Sequence, residues 1–158
     1  MEEFKAKRIF VSHTQSIKAA PEKVFQQLCP VKEYDWIETW KCDLIYSDSG
    51  FAEQDCIFVT GLPGYERRTW FVDEYEKNKY IQFIVFSNNY VIRYKITLTG
   101  KATGTTEAEW AQTITALNAD GNKYVEEFSI GGFKAMIERL EKMMNYYLET
   151  GSMLKEKA

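Results

Sequence analysis

Between Asp120 and Glu149 apolar residues recur at spacings of three and four. Val125, Phe128, Gly132, Met136 and Leu140 set the pattern, and Phe133, Ile137, Met143, Met144, Tyr147 and Leu148 join it. This spacing places them on one face of a long helix, running from about 120 to 150. Asp120 and Asn122 offer N-terminal caps, and Gly151 supplies the left-handed residue that commonly ends a helix. A helix of that length and polarity needs an equally long apolar surface to lie against, so the rest of the chain is constrained to provide one.

The partner is legible in the preceding hundred residues. Arg8 to Lys18 alternates as a strand, with Ile9, Val11, His13, Gln15 and Ile17 on one face. Ala20-Pro21-Glu22 starts a short helix striped by Val24, Phe25 and Leu28, Pro30 stops it, and a second short helical segment follows from Val31 to Trp36. After Trp40 the period is two. Strands are expected at Asp43–Ser47, Asp55–Thr60, Glu66–Tyr75, Tyr80–Ser87, Tyr90–Thr99 and Thr106–Leu117. Asp48-Ser49-Gly50, Leu62-Pro63-Gly64, Lys77-Asn78, Asn88-Asn89 and Gly100 to Gly104 separate them. Connections this short join antiparallel neighbours. Tyr90, Ile92, Tyr94, Ile96 and Leu98 share one face, as do Ala108, Trp110, Gln112, Ile114 and Ala116, so each strand has one side to be covered. The expected class is α+β. A curved seven-stranded antiparallel sheet wraps around the long C-terminal helix, and two short helices lie between strands 1 and 2.

At 158 residues the chain makes one domain, with 152–158 as a loose tail. A net charge of -3 and the lack of any basic run interleaved with aromatics argue against nucleic-acid binding. No apolar run approaches the length of a membrane span, and Met1 to Arg8 is charged rather than leader-like, so a cytoplasmic protein is expected. Cys29, Cys42 and Cys56 are odd in number and unpaired in spacing, which points to free thiols and to no metal site.

The order of elements resembles the START/Bet v 1-like superfamily, also called SRPBCC, whose members have the helix-grip fold. Ile17-x-Ala19-x-Pro21-Glu22-x-Val24-Phe25 is similar to its opening strand-to-helix signature. Glu33-x-x-Trp36 through Trp40, Ser49-Gly50, Gly121-Asn122 and Tyr147-Leu148-x-Thr150-Gly151 resemble a bacterial branch of it. The resemblance implies a cavity between sheet and helix that takes lipids, polyketides or other apolar small molecules, without a cofactor. A minority of members catalyse cyclisation or condensation there. It leaves a homodimer open.

With Ile17 inward, His13 and Gln15 turn towards that cavity, and Gln112 joins them beside Trp110. A buried polar group must be paired or wetted, at a cost of about 1–3 kcal/mol otherwise. These three are the expected polar anchors of a ligand, and Trp70, Tyr94, Trp110, Phe133, Met136, Ile137 and Leu140 the expected walls. The simpler alternative is that His13 satisfies itself on a neighbouring side chain. His13 is also the one candidate for acid–base catalysis in an aromatase/cyclase-like or hydrolase-like enzyme. No carboxylate or nucleophile is evidently placed beside it, so binding without catalysis is the leading expectation. An interaction module resembling the Hsp90-activator branch is a third reading, with Arg67-Arg68 beside Leu62-Pro63-Gly64-Tyr65 as its candidate surface. Trp36 and Trp40 are expected to seal the short helices onto the sheet. Gly131-Gly132 costs the helix about 1 kcal/mol per glycine and implies either close approach of a bulky sheet residue, a kink, or room for a ligand.

Overall fold

The computed structural model describes residues 3–61 and 66–156. Strand β1 (Arg8–Ile17) leads into helix α1 (Pro21–Gln27) and a single 3-10 turn at Glu33–Asp35. Strands β2 (Asp43–Tyr46), β3 (Ile57–Thr60), β4 (Arg68–Glu76), β5 (Tyr80–Phe86), β6 (Tyr90–Gly100) and β7 (Thr106–Ala116) follow. They form one antiparallel sheet in the order β1-β7-β6-β5-β4-β3-β2. The short connections make sequence neighbours pair, and only β1 returns across the sheet to lie beside β7, with His13 opposite Trp110 and Gln15 opposite Ala108. The inward rows of β6 and β7 are buried as their alternation requires.

The C-terminal segment is two helices, α2 (Ala119–Glu127) and α3 (Ile130–Thr150), where the apolar spacing predicts one. Phe128 and Ser129 adopt extended backbone between them. Ser129 caps α3 by accepting the Gly132 N–H at 2.9 Å, and Asn118 caps α2 through the Gly121 N–H at 2.9 Å, the role expected of Asp120 or Asn122. This also accounts for one of the two adjacent glycines, Gly132. A Cβ on Gly132 would sit 3.0 Å from the Ser129 hydroxyl, while Gly131 faces open space, so neither makes room for a sheet residue or a ligand. Gly121 has a different reason to be glycine. A Cβ there would lie 1.9 Å from the Asn89 carbonyl, so its absence lets α2 rest directly on the turn before β6.

Helix α3 packs along β1 rather than over the middle of the sheet. At about 100° per residue its surface divides into three stripes. Phe133, Ile137 and Met144 are buried in the core. Glu141 and Asn145 bond the free backbone edge of β1. The Glu141 carboxylate accepts the Ser16 N–H at 2.8 Å, and Asn145 takes the Lys18 N–H at 2.8 Å and donates to the Ser16 carbonyl at 3.1 Å. An edge strand otherwise offers unpaired amides to other chains, and here α3 occupies them. The third stripe, Met136, Arg139, Leu140 and Met143, faces a gap between α3 and strands β3–β7. Among the described residues no helix is long and apolar enough to cross a membrane.

Candidate functional site

That gap is a cavity of about 400 Å³, within the size range of small-molecule sites. Its floor is aromatic because inward positions on neighbouring strands carry rings. Phe58 of β3 stacks on Trp70 of β4 with centroids 5.3 Å apart and planes 15° apart. Phe83 of β5 meets Trp70 edge-on at 5.5 Å, and Tyr94 of β6 meets Trp110 of β7 at 5.9 Å. The α3 stripe forms one wall. The segment from Pro30 to Trp40 forms the other, and the exposed residues Thr39, Met136 and Arg139 mark the mouth.

The Pro30–Trp40 wall is held from behind. Trp36 is fully buried and donates its indole N–H to the Gln27 carbonyl at 3.1 Å. Trp40 donates to the Pro30 carbonyl at 2.8 Å, and the Tyr34 hydroxyl bridges the Cys42 backbone at 2.9 Å on both N–H and carbonyl. Trp36 therefore seals the wall onto the core as expected, whereas Trp40 lines the cavity. With Trp36 turned to the core, Glu33, Ile37 and Trp40 turn the other way, at helical spacings of four and three, and all three line the cavity.

Glu33 is the polar centre of this site. Glu33 lines the cavity as a half-buried residue whose carboxyl is enclosed by protein. Among the described residues it makes no hydrogen bond and no ion pair. Burial without compensation pushes its pKa up to about 8, so the group is largely uncharged at neutral pH. The buried Tyr94 phenol is raised above its usual range, first by burial and then by Glu33, against opposing effects of the Gln112 amide and the Arg68 guanidinium. One phenol thus senses polar groups from three sides of the cavity.

Arg68 enters from β4. Its Nε and Nη2 donate to the Tyr90 hydroxyl at 3.1 and 2.7 Å, and Nη2 also donates to Tyr124 at 3.2 Å. Tyr90 in turn donates to Glu66 Oε2 at 2.5 Å, and the Tyr90 and Tyr124 rings stack with centroids 4.0 Å apart. Arg67 is exposed, and the Leu62-Pro63-Gly64-Tyr65 part of the expected surface loop lies outside the described residues.

Six residues expected from sequence line the cavity: Trp70, Tyr94, Trp110, Gln112, Met136 and Leu140. Four do not. Phe133 and Ile137 belong to the core stripe of α3. Gln15 points inward but both ends of its amide are taken. Nε2 donates to the Ile137 carbonyl at 2.9 Å, and Oε1 accepts the Trp110 indole N–H at 2.9 Å, so this residue ties α3 to the sheet. His13 lies on the far side of α3 from the cavity, 3.5 Å from Glu138. Glu138 is about 200° around the helix from Met136. The His13–Glu138 pair is partly exposed and contributes at most about 1 kcal/mol. His13→Ala is accordingly expected to lower the unfolding free energy measured in urea by less than that and to leave binding in the cavity unchanged; lost binding would place His13 at the site after all.

Glu33 is not among the residues expected at the site, and Arg68 is expected only with Arg67 as part of a charged loop that could gate a pocket or meet an anionic head group. Glu33 carried a readable signal, a carboxylate on the same helical face as Ile37 and Trp40.

The curved antiparallel sheet and the long C-terminal helix define an α+β helix-grip fold. No family model and no curated protein sequence matches the chain significantly. Among solved structures, a putative uncharacterized protein from Rhizobium leguminosarum superposes with a TM-score of 0.65 at 10% identity, over 92% of this chain and 97% of that one. Norcoclaurine synthase from Thalictrum flavum, in complex with dopamine and hydroxybenzaldehyde, superposes with a TM-score of 0.63 at 14% identity, over 96% and 91%. DynU16, a putative protein in the dynemicin biosynthetic locus, gives 0.60 at 17% identity, over 90% of this chain and 48% of that one. At these identities the likeness concerns the fold.

Proposed function

We propose that this protein binds an apolar or amphipathic small molecule in the cavity between α3 and the sheet. One observation carries the reading: a cavity of about 400 Å³, floored by aromatic rings, contains a carboxyl group with no partner among the described residues. Among the described residues nothing pairs with that carboxyl, and a few polar groups turned into an otherwise apolar pocket are the usual form of a ligand site. The rings suit a flat or polycyclic guest, which stacks or meets them edge-on. The neighbours support the same reading at the level of the scaffold, one solved with two small aromatic molecules and one from a biosynthetic locus. Native mass spectrometry of protein purified from its host is expected to show a bound small molecule that is released on denaturation. A ligand-free protein that also fails to take up any hydrophobic probe would remove the reading.

A second reading, catalysis, is favoured by Glu33 rather than by His13. A carboxyl held near pKa 8 beside Tyr94 is matched to proton transfer at neutral pH. Its reaction class would be cyclase-like or condensation-like, with Glu33 delivering or removing a proton on a guest lying against Trp70 and Trp110. The interaction-module reading drew on a filled interior, and an aromatic cavity of this size lends it no support.

A further inference from the structure

We propose that the guest is an aromatic carboxylic acid, held with its carboxylate on Arg68 and Thr60 and its ring system over Trp70 and Phe58. This rests on the cavity-binding reading above and adds the charge and shape of the guest.

The charge follows from what Arg68 lacks. Arg68 lines the cavity, yet the three hydrogen bonds of its guanidinium all go to the hydroxyls of Tyr90 and Tyr124. Among the described residues no carboxylate lies within 4 Å of it, and Nη1 makes no hydrogen bond. Tyr90 spends its proton on the exposed Glu66 carboxylate, so its lone pairs face Arg68 and fix the guanidinium plane. A positioned cation with a spare N–H edge is a receptor for a carboxylate, which it can bind through paired hydrogen bonds. Among the described residues one acidic side chain, Glu33, lines the cavity and it stands unpaired, while two arginines, Arg68 and Arg139, line the same space. Arg139 is already committed to Glu156 at 2.7 Å, which leaves Arg68 for the guest.

Thr60 completes the head-group position. It lies directly opposite Arg68 in the β3–β4 register, and its Oγ1 already accepts the Trp70 indole N–H at 2.9 Å. Its own proton is therefore left for an acceptor in the cavity. The shape follows from the next rung. Phe58 lies opposite Trp70, two residues along from Thr60 and Arg68 on the same inward face. Two residues of strand span about 6.6 Å. A carboxylate at the first rung thus puts a directly attached ring at the second, against the stacked Phe58 and Trp70, and extends a fused ring towards Phe83 and Tyr94. A flexible acyl chain makes no comparable use of these faces.

Four probes test this by isothermal titration: 2-naphthoate, its neutral amide 2-naphthamide, the cation 2-naphthylmethylammonium, and dodecanoate as the aliphatic acid. The wild-type protein is expected to bind 2-naphthoate at least tenfold more tightly than 2-naphthamide, the ammonium least, and dodecanoate more weakly than 2-naphthoate. Arg68→Gln should abolish the preference for the acid over the amide while still binding the amide, which shows that the variant cavity is folded. If Arg68→Gln does not fold, Thr60→Val is the second variant and should reduce the same preference several-fold. Equal binding of acid and amide, a preference that survives Arg68→Gln, or stronger binding of the ammonium would overturn the assignment of the anion while leaving the cavity reading intact. Dodecanoate binding more tightly than 2-naphthoate would overturn the aromatic part. If none of the four probes binds, both readings fail together.

Discussion

Replacing Glu33 by Gln is expected to stabilise this protein, and only above about pH 4.5. The folded-state pKa of about 8 lies well above the ordinary glutamate value of 4.5. Between those limits the folded protein holds a proton that the unfolded chain has released. Unfolding stability therefore falls as pH rises through that window, by up to about 1.4 kcal/mol per pH unit, and levels off above pH 8. Water in the cavity softens the penalty, so the full effect should be about 2–4 kcal/mol rather than the whole product of shift and slope. Glutamine keeps the shape and cannot ionise. Urea unfolding of both proteins at pH 4, 6 and 8 should give coincident midpoints at pH 4 and a growing advantage for Glu33→Gln at higher pH. A pH-independent difference, or a variant that is less stable at pH 8, would show that the carboxyl is charged and compensated in the folded state. A native protein that keeps such a liability needs a use for it, and a binding cavity supplies one.

Trp36→Ala is expected to cost about 3–5 kcal/mol, the range for deleting a large buried aromatic side chain. Trp36 has no solvent exposure, packs in the core with Val24, Phe25 and Leu28, and closes the turn back onto Gln27 through its indole N–H. Removing it leaves a void and an unpaired carbonyl behind the very wall that presents Glu33, Ile37 and Trp40. The variant should therefore also bind cavity probes more weakly under conditions where it remains folded. Trp36→Phe keeps most of the volume and loses the hydrogen bond, so it should cost less and retain binding. A loss below about 1 kcal/mol for Trp36→Ala would mean that the Pro30–Trp40 segment is not anchored to the core.

The sheet was legible because period two is a direct consequence of the pleat. Strands Tyr90–Gly100 and Thr106–Ala116 differ from expectation by a residue at one end each, and their inward rows are buried as alternation requires. The helix was legible in its apolar stripe but not in its break. Val125, Phe128 and Gly132 continue the three-and-four spacing across Ser129, and only the capping ability of Ser129 together with the adjacent glycines marks the discontinuity. Periodicity also cannot say where on the sheet a helix lies. Gln15 faces inward as alternation dictates, yet α3 lies over β1 and takes the Gln15 amide N–H through the Ile137 carbonyl while Trp110 of β7 takes its oxygen, and the same placement leaves His13 behind the helix. Glu33 was overlooked because an acidic residue in a short helical segment ordinarily faces water. Here Trp36 claims the core side of the turn and forces Glu33 towards the cavity. Arg68 reads with Arg67 as loop charge although it falls inside the expected strand Glu66–Tyr75, whose alternation turns it inward with Trp70.

The uncharged carboxyl inside an aromatic cavity can be observed directly. In protein labelled with 13C at glutamate carboxyl carbons, with Glu33→Gln used to assign the resonance, Glu33 should titrate near pH 8 in the free protein, and its signal should move when 2-naphthamide or 2-naphthoate is added. A Glu33 signal that titrates in the ordinary carboxylate range and ignores every probe would contradict both the closed setting of that group and the cavity's role as a binding site.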